Sequence, residues 1–355
     1  RTAPPHDRKR RSMKRPRLFK PKGTGRIRGR SGSSGSRILG VGGYRPERVV
    51  PNAEIVDAIN SSDEWIQERS GIIERRFARP DETVVDMSYA ASRDAIAMAG
   101  LDVSDVDAVI VASVTHEFRT PAAAPMLADR LDLRCAAFDV SAACAGYCHG
   151  IALASDMVRG GSATTVLVVG AEKLSDVTDP HDRSTAFIFG DGAGAAVVGR
   201  SDRHGIGPTV WGSEGDSWAT IRQREPWNDV IAAESGNGAT IAMEGHKVFR
   251  WAVWGMAPVA QRAMEAAGVK ASDLDAFIPH QANMRIIDSM IKQLKLPKDI
   301  AVARDIATTA NTSAASIPLA TERLLREDLV PHGGLALQIG FGAGLVYAAQ
   351  VVELP

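Results

Sequence analysis

Cys144 lies in the run Ser141-Ala142-Ala143-Cys144-Ala145-Gly146, behind the strand-like Ala136–Val140 and at the opening of a helix expected to reach Val158. A cysteine at that junction meets the positive end of a helix dipole, which favours the nucleophilic thiolate over the thiol. Its small neighbours leave the sulfur approachable and let the backbone come close to a substrate. Free cysteines are otherwise among the most buried and inert residues, and Cys135 and Cys148 are read that way. His280 ends an apolar run in Phe277-Ile278-Pro279-His280-Gln281-Ala282-Asn283. A histidine at a strand end followed by polar residues projects into a cleft more readily than one in mid-helix. Asn311 stands in Thr309-Ala310-Asn311-Thr312-Ser313-Ala314-Ala315-Ser316, a second small-residue run leading into the helical stretch Ile317–Leu325. Singly these residues mean little. Together they describe covalent catalysis by a thiol, with an imidazole and a carboxamide at hand.

Other thiol and metal chemistries fit less well. Papain-like proteases share the chain order Cys, His, Asn, but carry a Cys-Gly-x-Cys-Trp signature and occupy oxidising compartments. Here the nucleophile context is Ala-Cys-Ala-Gly, and three cysteines cannot build a disulfide framework. A reducing cytoplasm is the expected location. The Cys144-x3-Cys148 spacing is not a metal knuckle, and the histidines other than His280 show no metal spacing, so no metal site is expected. The run Gly190-x-Gly192-x-Gly194 lacks the full dinucleotide pattern and reads as a turn from one strand into the next.

The elements that must carry these residues alternate strands with amphipathic helices, as α/β folds do. Strands are expected at Ala108–Val114, Thr165–Gly170, Ala195–Val198, Ala276–Ile278, Leu335–Gly340 and Val346–Val352. Most are continuous apolar runs, which suits strands covered on both faces. Helices are expected at Ser88–Ala99, Ala145–Val158, Val253–Ala267 and Arg285–Leu294. An internal echo ties the halves together: residues 95–110 and 263–278 are identical at eight of sixteen positions at an offset of 168, including Gly100/Gly268, Ser104/Ser272 and Asp107/Asp275. Chance repetition of a common αβ connector is the competing explanation. With two halves of similar length, the echo favours two copies of one α/β unit, 37–204 and 205–355, whose matching residues converge on a shared cleft. The offset carries Cys144 onto Thr312, next to Asn311.

The whole chain of 355 residues has 45% hydrophobic and 24% charged residues, an ordinary globular balance, and 42 basic against 42 acidic side chains. That neutrality hides two opposite parts. Residues 1–36 hold 13 basic residues and one acid, leaving −12 on the remainder. The tail is Pro- and Gly-rich and buries too little apolar surface to order itself, so 1–36 is expected to be disordered. Arg8-Lys9-Arg10-Arg11 could neutralise nucleic-acid phosphates. The blander and favoured explanation is an over-extended reading frame, with Met13 as an alternative start. No apolar run reaches the roughly 20 residues needed to span a bilayer, and no membrane association is expected.

These motifs resemble beta-ketoacyl-acyl carrier protein synthase III, of the thiolase superfamily. The resemblance covers essentially Arg37 to Pro355. It is carried by Ser61-Ser62-Asp63-Glu64-Trp65, Arg69-x-Gly71-Ile72, Ala143-Cys144-Ala145-Gly146, Phe189-Gly190-Asp191-Gly192-Ala193-Gly194-Ala195, Pro279-His280-Gln281-Ala282-Asn283, Asn311-Thr312-Ser313-Ala314-Ala315-Ser316 and Gly340-Phe341-Gly342-Ala343-Gly344. It implies a thiolase-like α/β fold of two pseudo-repeated halves in five αβαβα layers, a homodimer, and an acyltransferase. The implied reaction is a decarboxylative Claisen condensation of an acyl-CoA starter with malonyl-acyl carrier protein, initiating fatty-acid or polyketide synthesis.

By resemblance, Cys144 takes the acyl group, and His280 and Asn311 stabilise the enolate formed on decarboxylation. Backbone N–H groups of Cys144 and Ala343 form the oxyanion hole. Trp65, Arg69, Arg183, Gly245, Phe249 and Asn283 contact coenzyme A. Arg250, Arg285 and Lys292 dock the acidic carrier protein, and Thr120 and Phe341 shape the acyl pocket. Thr120 belongs to a loop, Thr115–Pro121, that reaches the partner's pocket, and its small size leaves room beyond acetyl. No cofactor is implied, acyl-CoA being a substrate. A relative that transfers acyl groups without chain extension is the nearest alternative, and retention of both His280 and Asn311 argues against it. An inactive partner subunit and a nucleic-acid-binding protein are the alternatives outside that chemistry. Ala310 departs from the usual family glycine: if that position needs positive φ, alanine strains the loop that holds Asn311.

Overall fold

The structure, a computed structural model, describes residues 29–233 and 236–355. Two five-stranded sheets form its frame. The first contains β1 (Gly35–Tyr44), β2 (Ala108–Ala112), β3 (Ala136–Val140), β4 (Thr165–Glu172) and β5 (Gly192–Ser201), in the order β1-β5-β4-β2-β3. The second contains β6 (Val210–Ser213), β7 (Ala276–Pro279), β8 (Ala301–Val302), β9 (Leu335–Gly342) and β10 (Val346–Glu353), in the order β6-β10-β9-β7-β8. The two orders match strand for strand. So do the directions: the β4–β2–β3 and β9–β7–β8 pairs are parallel, and the rest antiparallel.

Six helices position the site: α1 (Asp63–Ser70), α2 (Val84–Met98), α3 (Gly146–Gly160), α4 (Gly245–Ala267), α5 (Met284–Leu294) and α6 (Ser316–Arg326). Along a strand, successive side chains point to opposite faces, and here both faces are covered. Leu167 and Val169 of β4 pack outward with α2, through Met87, Ala91 and Ala95. Val166 and Val168 point inward, joining Ile151 and Val158 of α3, Ile317 and Leu324 of α6, and Ile278, Ala336 and Val352 of the second sheet. Leu337 and Ile339 of β9 face α4 and α5 on the far side, with Phe277, Met256, Ala260 and Met290. The result is helix, sheet, helix pair, sheet, helix: five layers around the buried pair α3 and α6.

Helix ends follow local chemistry. The Thr83 hydroxyl accepts from Asp86 N–H at 3.0 Å while the Asp86 carboxylate accepts from Thr83 N–H at 2.8 Å, a capping box that starts α2 four residues before the sequence suggests. Gly100 and Gly268, the echoed glycines, follow α2 and α4 with φ of 66° and 69°.

Two expectations are corrected. The chain orders before Arg37: Gly35 and Ser36 pair with Ser201 and Arg200, and Ser33 N–H donates to Val158 O at 3.3 Å. Most of the basic tail, 1–28, lies outside the described residues. The repeat offset is also not constant. It is 168 from β2 to β7, but 170 from β4 to β9 and from α3 to α6. Two extra residues therefore precede the second small-residue turn, and Cys144 answers to Ala314 rather than Thr312, with Ala143 answering to Ser313.

The matched turns Ala143–Ala145 and Ser313–Ala315 lie between the sheets, each against the other half's strand. A Cβ on Gly170 of β4 would fall 2.2 Å from Ala314 O. One on Gly340 of β9 would fall 3.0 Å from Cys144 O. Both are backbone contacts with no flexible atom to move aside, so only glycine admits them. Gly170→Ala is expected to destabilise the protein by about 3 kcal/mol through overpacking; urea unfolding compared with Gly160→Ala, where the added methyl meets open space, measures it.

Candidate active site

A cavity of about 540 Å³ runs from the ends of β7 and β9 to the surface between α1, α4 and α5. Cys144, His280 and Asn311 all line it, with Phe341 and Gly342 beside them. A cavity of similar size lies elsewhere, around Asp156, Arg159, His204 and Glu353, with none of the three.

Cys144 sits on the turn between β3 and α3, next to Ala143, which holds a φ of 45°. The backbone N–H groups of Cys144 and Ala343 and the Ser313 hydroxyl act on its sulfur electrostatically, each favouring the thiolate. Gly342 keeps this space open, because a Cβ there would lie 2.8 Å from Sγ. The expectation of a helix-stabilised thiolate is corrected: burial pushes the Cys144 thiol up to about 11, with the charge of Glu172 adding to the rise and the Ser313 and backbone donors opposing it. Cys144 is a thiol at neutral pH, and its proton must leave as it attacks.

His280 is 2% exposed. Its backbone N–H donates to Ile339 O at 2.8 Å, ring Nδ1 lies 2.7 Å from Ser316 Oγ, and the ring meets Phe341 edge-to-face at 5.3 Å. Burial pushes it down to about 3, so the imidazole is neutral across the working pH range. Asn311 is tied by its backbone to Ile188 O and Gly190 N–H, at 2.9 and 3.0 Å. Its Oδ1 accepts from Ser313 N–H at 2.8 Å, which leaves the NH₂ group as the end that can donate into the cavity. The preceding Ala310 does hold positive φ, at 54° with ψ of −158°, a region that suits glycine. The loop accepts that strain and still presents Asn311 to the cavity.

At the mouth, Ser62 caps α1 by accepting from Trp65 N–H at 3.2 Å. The guanidinium groups of Arg183 and Arg69 lie 4.7 and 5.3 Å from the centroid of the Trp65 ring, and Phe187 packs edge-to-face with that ring at 5.2 Å. Gly245 and Phe249 line the passage from α4, and Arg285 lies 4.9 Å over Phe249. Asn283 also lines it, but its Oδ1 caps α5 by accepting from Arg285 N–H at 2.9 Å and its Nδ2 donates to Arg69 O at 2.9 Å. Arg250 and Lys292 are exposed on α4 and α5 and do not line the cavity. Thr120 is exposed on its loop and does not enter this chain's cavity.

Sequence reading missed the support around the three central groups. Ser313 Oγ donates to Glu172 Oε1 at 3.0 Å, and Glu172 Oε2 accepts from Thr115 Oγ1 at 2.7 Å and Val114 N–H at 3.1 Å. Ser316, which holds His280, and Ser313 were within the quoted run. The signal for Glu172 was an acid closing an apolar run that is otherwise buried.

Since the thiol is held high, the rate of Cys144 alkylation by iodoacetamide, followed by peptide mass mapping to exclude Cys135 and Cys148, is expected to climb about tenfold per pH unit with no plateau below about pH 10; a plateau near neutrality would show a preformed thiolate.

Two segments match models of one family: residues 138–215 match "3-Oxoacyl-[acyl-carrier-protein (ACP)] synthase III", and residues 264–354 match its C-terminal model. The chain is 59% identical over 331 residues to beta-ketoacyl-[acyl-carrier-protein] synthase III of Streptomyces glaucescens, covering 93% of this chain and 99% of that one. It is 53% identical over 326 residues to the mycobacterial beta-ketoacyl-[acyl-carrier-protein] synthase III of Mycobacterium marinum, covering 92% and 97%. Among solved structures it is similar to the priming beta-ketosynthase from the R1128 polyketide biosynthetic pathway, with a TM-score of 0.90 at 47% identity, covering 94% and 99%.

Proposed function

The chain belongs to the 3-oxoacyl-[acyl-carrier-protein] synthase III family of condensing enzymes, and from that premise we propose that Cys144, His280 and Asn311 carry a decarboxylative condensation of an acyl-CoA starter with malonyl-acyl carrier protein. The observation that supports it best is their convergence on one cavity whose mouth offers an aromatic ring with two guanidinium groups nearby.

In the first step, Cys144 Sγ attacks the thioester carbonyl and coenzyme A departs, leaving an acyl-Cys144. The tetrahedral oxyanion is met by the N–H groups of Cys144 and Ala343, whose dipoles already favour negative charge at the neighbouring sulfur. The malonyl thioester then loses carbon dioxide, and the enolate oxygen needs donors that carry no acidic charge of their own. Asn311 supplies its NH₂ group. We assign the Ser316 hydroxyl as donor to His280 Nδ1, which leaves the hydrogen on Nε2 to meet the enolate. A neutral imidazole is the right form, since an imidazolium would protonate the carbanion that must attack acyl-Cys144. The substrates supply the remaining chemistry, with acyl-CoA as substrate rather than resident cofactor.

At the mouth, the adenine of coenzyme A is proposed to stack on Trp65, with its phosphates near Arg69 and Arg183. Exposed Arg250, Arg285 and Lys292 are proposed to dock the acidic carrier protein, which a body carrying −12 needs for attraction. A homodimer is supported by the edge strand β3, which leaves Phe138 37% exposed, and by the loop with Phe118 at 56%. In that dimer Thr120 closes the partner's acyl pocket. No helix among the described residues is long and apolar enough to cross a membrane, and a cytoplasmic location is proposed.

Incubation with radiolabelled acyl-CoA is expected to label Cys144, and malonyl-carrier protein to discharge the label as a 3-oxoacyl product. His280→Ala and Asn311→Ala are each expected to keep the labelling and lose condensation by about 10²–10³-fold. A Cys144→Ser protein that labelled normally would move the nucleophile elsewhere. Turnover of acetyl-, isobutyryl- and long-chain acyl-CoA tests the pocket: acceptance beyond acetyl is expected, and strict preference for acetyl refutes a roomy pocket.

A further inference from the structure

The mouth of the cavity is built from two stretches far apart in the chain. One is α1, with Trp65 and Arg69; the other is 182–190, with Arg183 and Phe187. Their side chains meet across the gap at the Trp65 ring. Their backbones are joined through Arg75, which stands on a two-strand ribbon formed by Arg48–Pro51 and Glu74–Phe77. Arg75 is 0% exposed, and among the described residues no carboxylate is bonded to it. Its Nη2 donates to Phe187 O at 2.9 Å and to Asn52 Oδ1 at 2.8 Å, and its Nη1 donates to Val50 O at 3.2 Å. Asn52 is also buried, and its Nδ2 donates to Asp63 Oδ1 at 2.7 Å and to Ile72 O at 2.8 Å. Asp63 opens α1, and Ile72 follows Gly71, which ends it with a φ of 78°. One nitrogen therefore reaches the second stretch directly and both ends of α1 through a single amide.

Burying a guanidinium without a bonded acid is costly, and an apolar side chain would fill the same volume more cheaply. What an apolar group cannot do is serve three acceptors on separate pieces of chain, which the planar fork does. The second stretch also runs in contact with this residue: a Cβ on Gly190 would lie 3.2 Å from Arg75 Cβ and 2.4 Å from Thr309 O. The groups at the floor of the cavity are held by other bonds, Asn311 by Ile188 O and Gly190 N–H, and His280 by Ile339 O and Ser316 Oγ. We propose that Arg75 is a positioning residue for acyl-CoA, setting the spacing between the Trp65–Arg69 wall and the Arg183–Phe187 wall and so how tightly the nucleotide end of the substrate is held. The inference rests on the reading that places this nucleotide at Trp65. Arg75 touches neither substrate nor reacting atoms, so its effect falls on binding of the nucleotide and not on the chemistry at Cys144.

The test compares two acyl donors in steady-state condensation: acyl-CoA, and the same acyl group on pantetheine, which lacks the nucleotide. Arg75→Lys keeps the charge and loses the fork. Its KM for acyl-CoA is expected to rise about tenfold, while kcat and the KM for acyl-pantetheine stay within about threefold of the unaltered protein. A merely structural role would lower kcat with both donors alike. An unchanged KM for acyl-CoA in a folded Arg75→Lys, or losses equal for the two donors, overturns the proposal. If Arg75→Lys shows no cooperative melting transition, Asn52→Ala, which releases both ends of α1 and leaves Arg75 in place, decides by the same comparison. A KM that is the same for both donors in the unaltered protein overturns instead the placement of the nucleotide at Trp65, and this inference with it.

Discussion

The structure depends on two short turns being forced against one another between two sheets. Each turn, Ala143–Ala145 and Ser313–Ala315, is followed at once by one of the two buried helices. Each is also gripped by a glycine of the opposite half, Gly340 on one side and Gly170 on the other. That mutual grip brings backbone to within van der Waals contact, where a side chain would normally stand. It converts two surface-like connections into the centre of the molecule. Strained φ at Ala143, Ala310 and Ser313 is the local cost of the arrangement, and the packed layers on both sides hold it in place.

Putting a site there sets its electrostatics. Far from water, charges are disfavoured and neutral forms prevail. Cys144 stays a thiol, His280 stays an uncharged imidazole, and even Glu172 is drawn toward its protonated form. Such a site cannot rely on standing charge to activate its nucleophile. It relies on fixed dipoles: two backbone N–H groups at the sulfur, and the Asn311 amide and His280 ring held by Ser313 N–H and Ser316 Oγ. These dipoles are oriented before any substrate arrives, so little reorganisation accompanies charge developing in a transition state.

Much of this was legible in the sequence, for identifiable reasons. The central strands β2, β4, β7, β9 and β10 are apolar runs because both faces are covered, so they stand out whatever lies around them. Cys144 and Asn311 were visible because they stand out in small-residue runs, and His280 because it ends an apolar one. β1 was not, because its ten residues, four of them Gly, are strand only through pairing with β5. β8, two residues long, offered no pattern at all. The titration of Cys144 was misjudged because a helix start is a local feature, whereas burial is decided by residues some 170 to 200 positions away. Glu172 escaped notice for the same reason, since Ser313, 141 residues on, gives it its meaning.

The matched halves have a consequence for how such a scaffold acquires chemistry. Counted from the repeat, the fold owns two equivalent seats, Cys144 with Gly342 in one and Ala314 with Glu172 in the other. They are furnished unequally: a sulfur beneath a bare backbone in one, an acid and a methyl in the other. Matching places in the two halves thus differ in content, and only one of them holds a reactive sulfur.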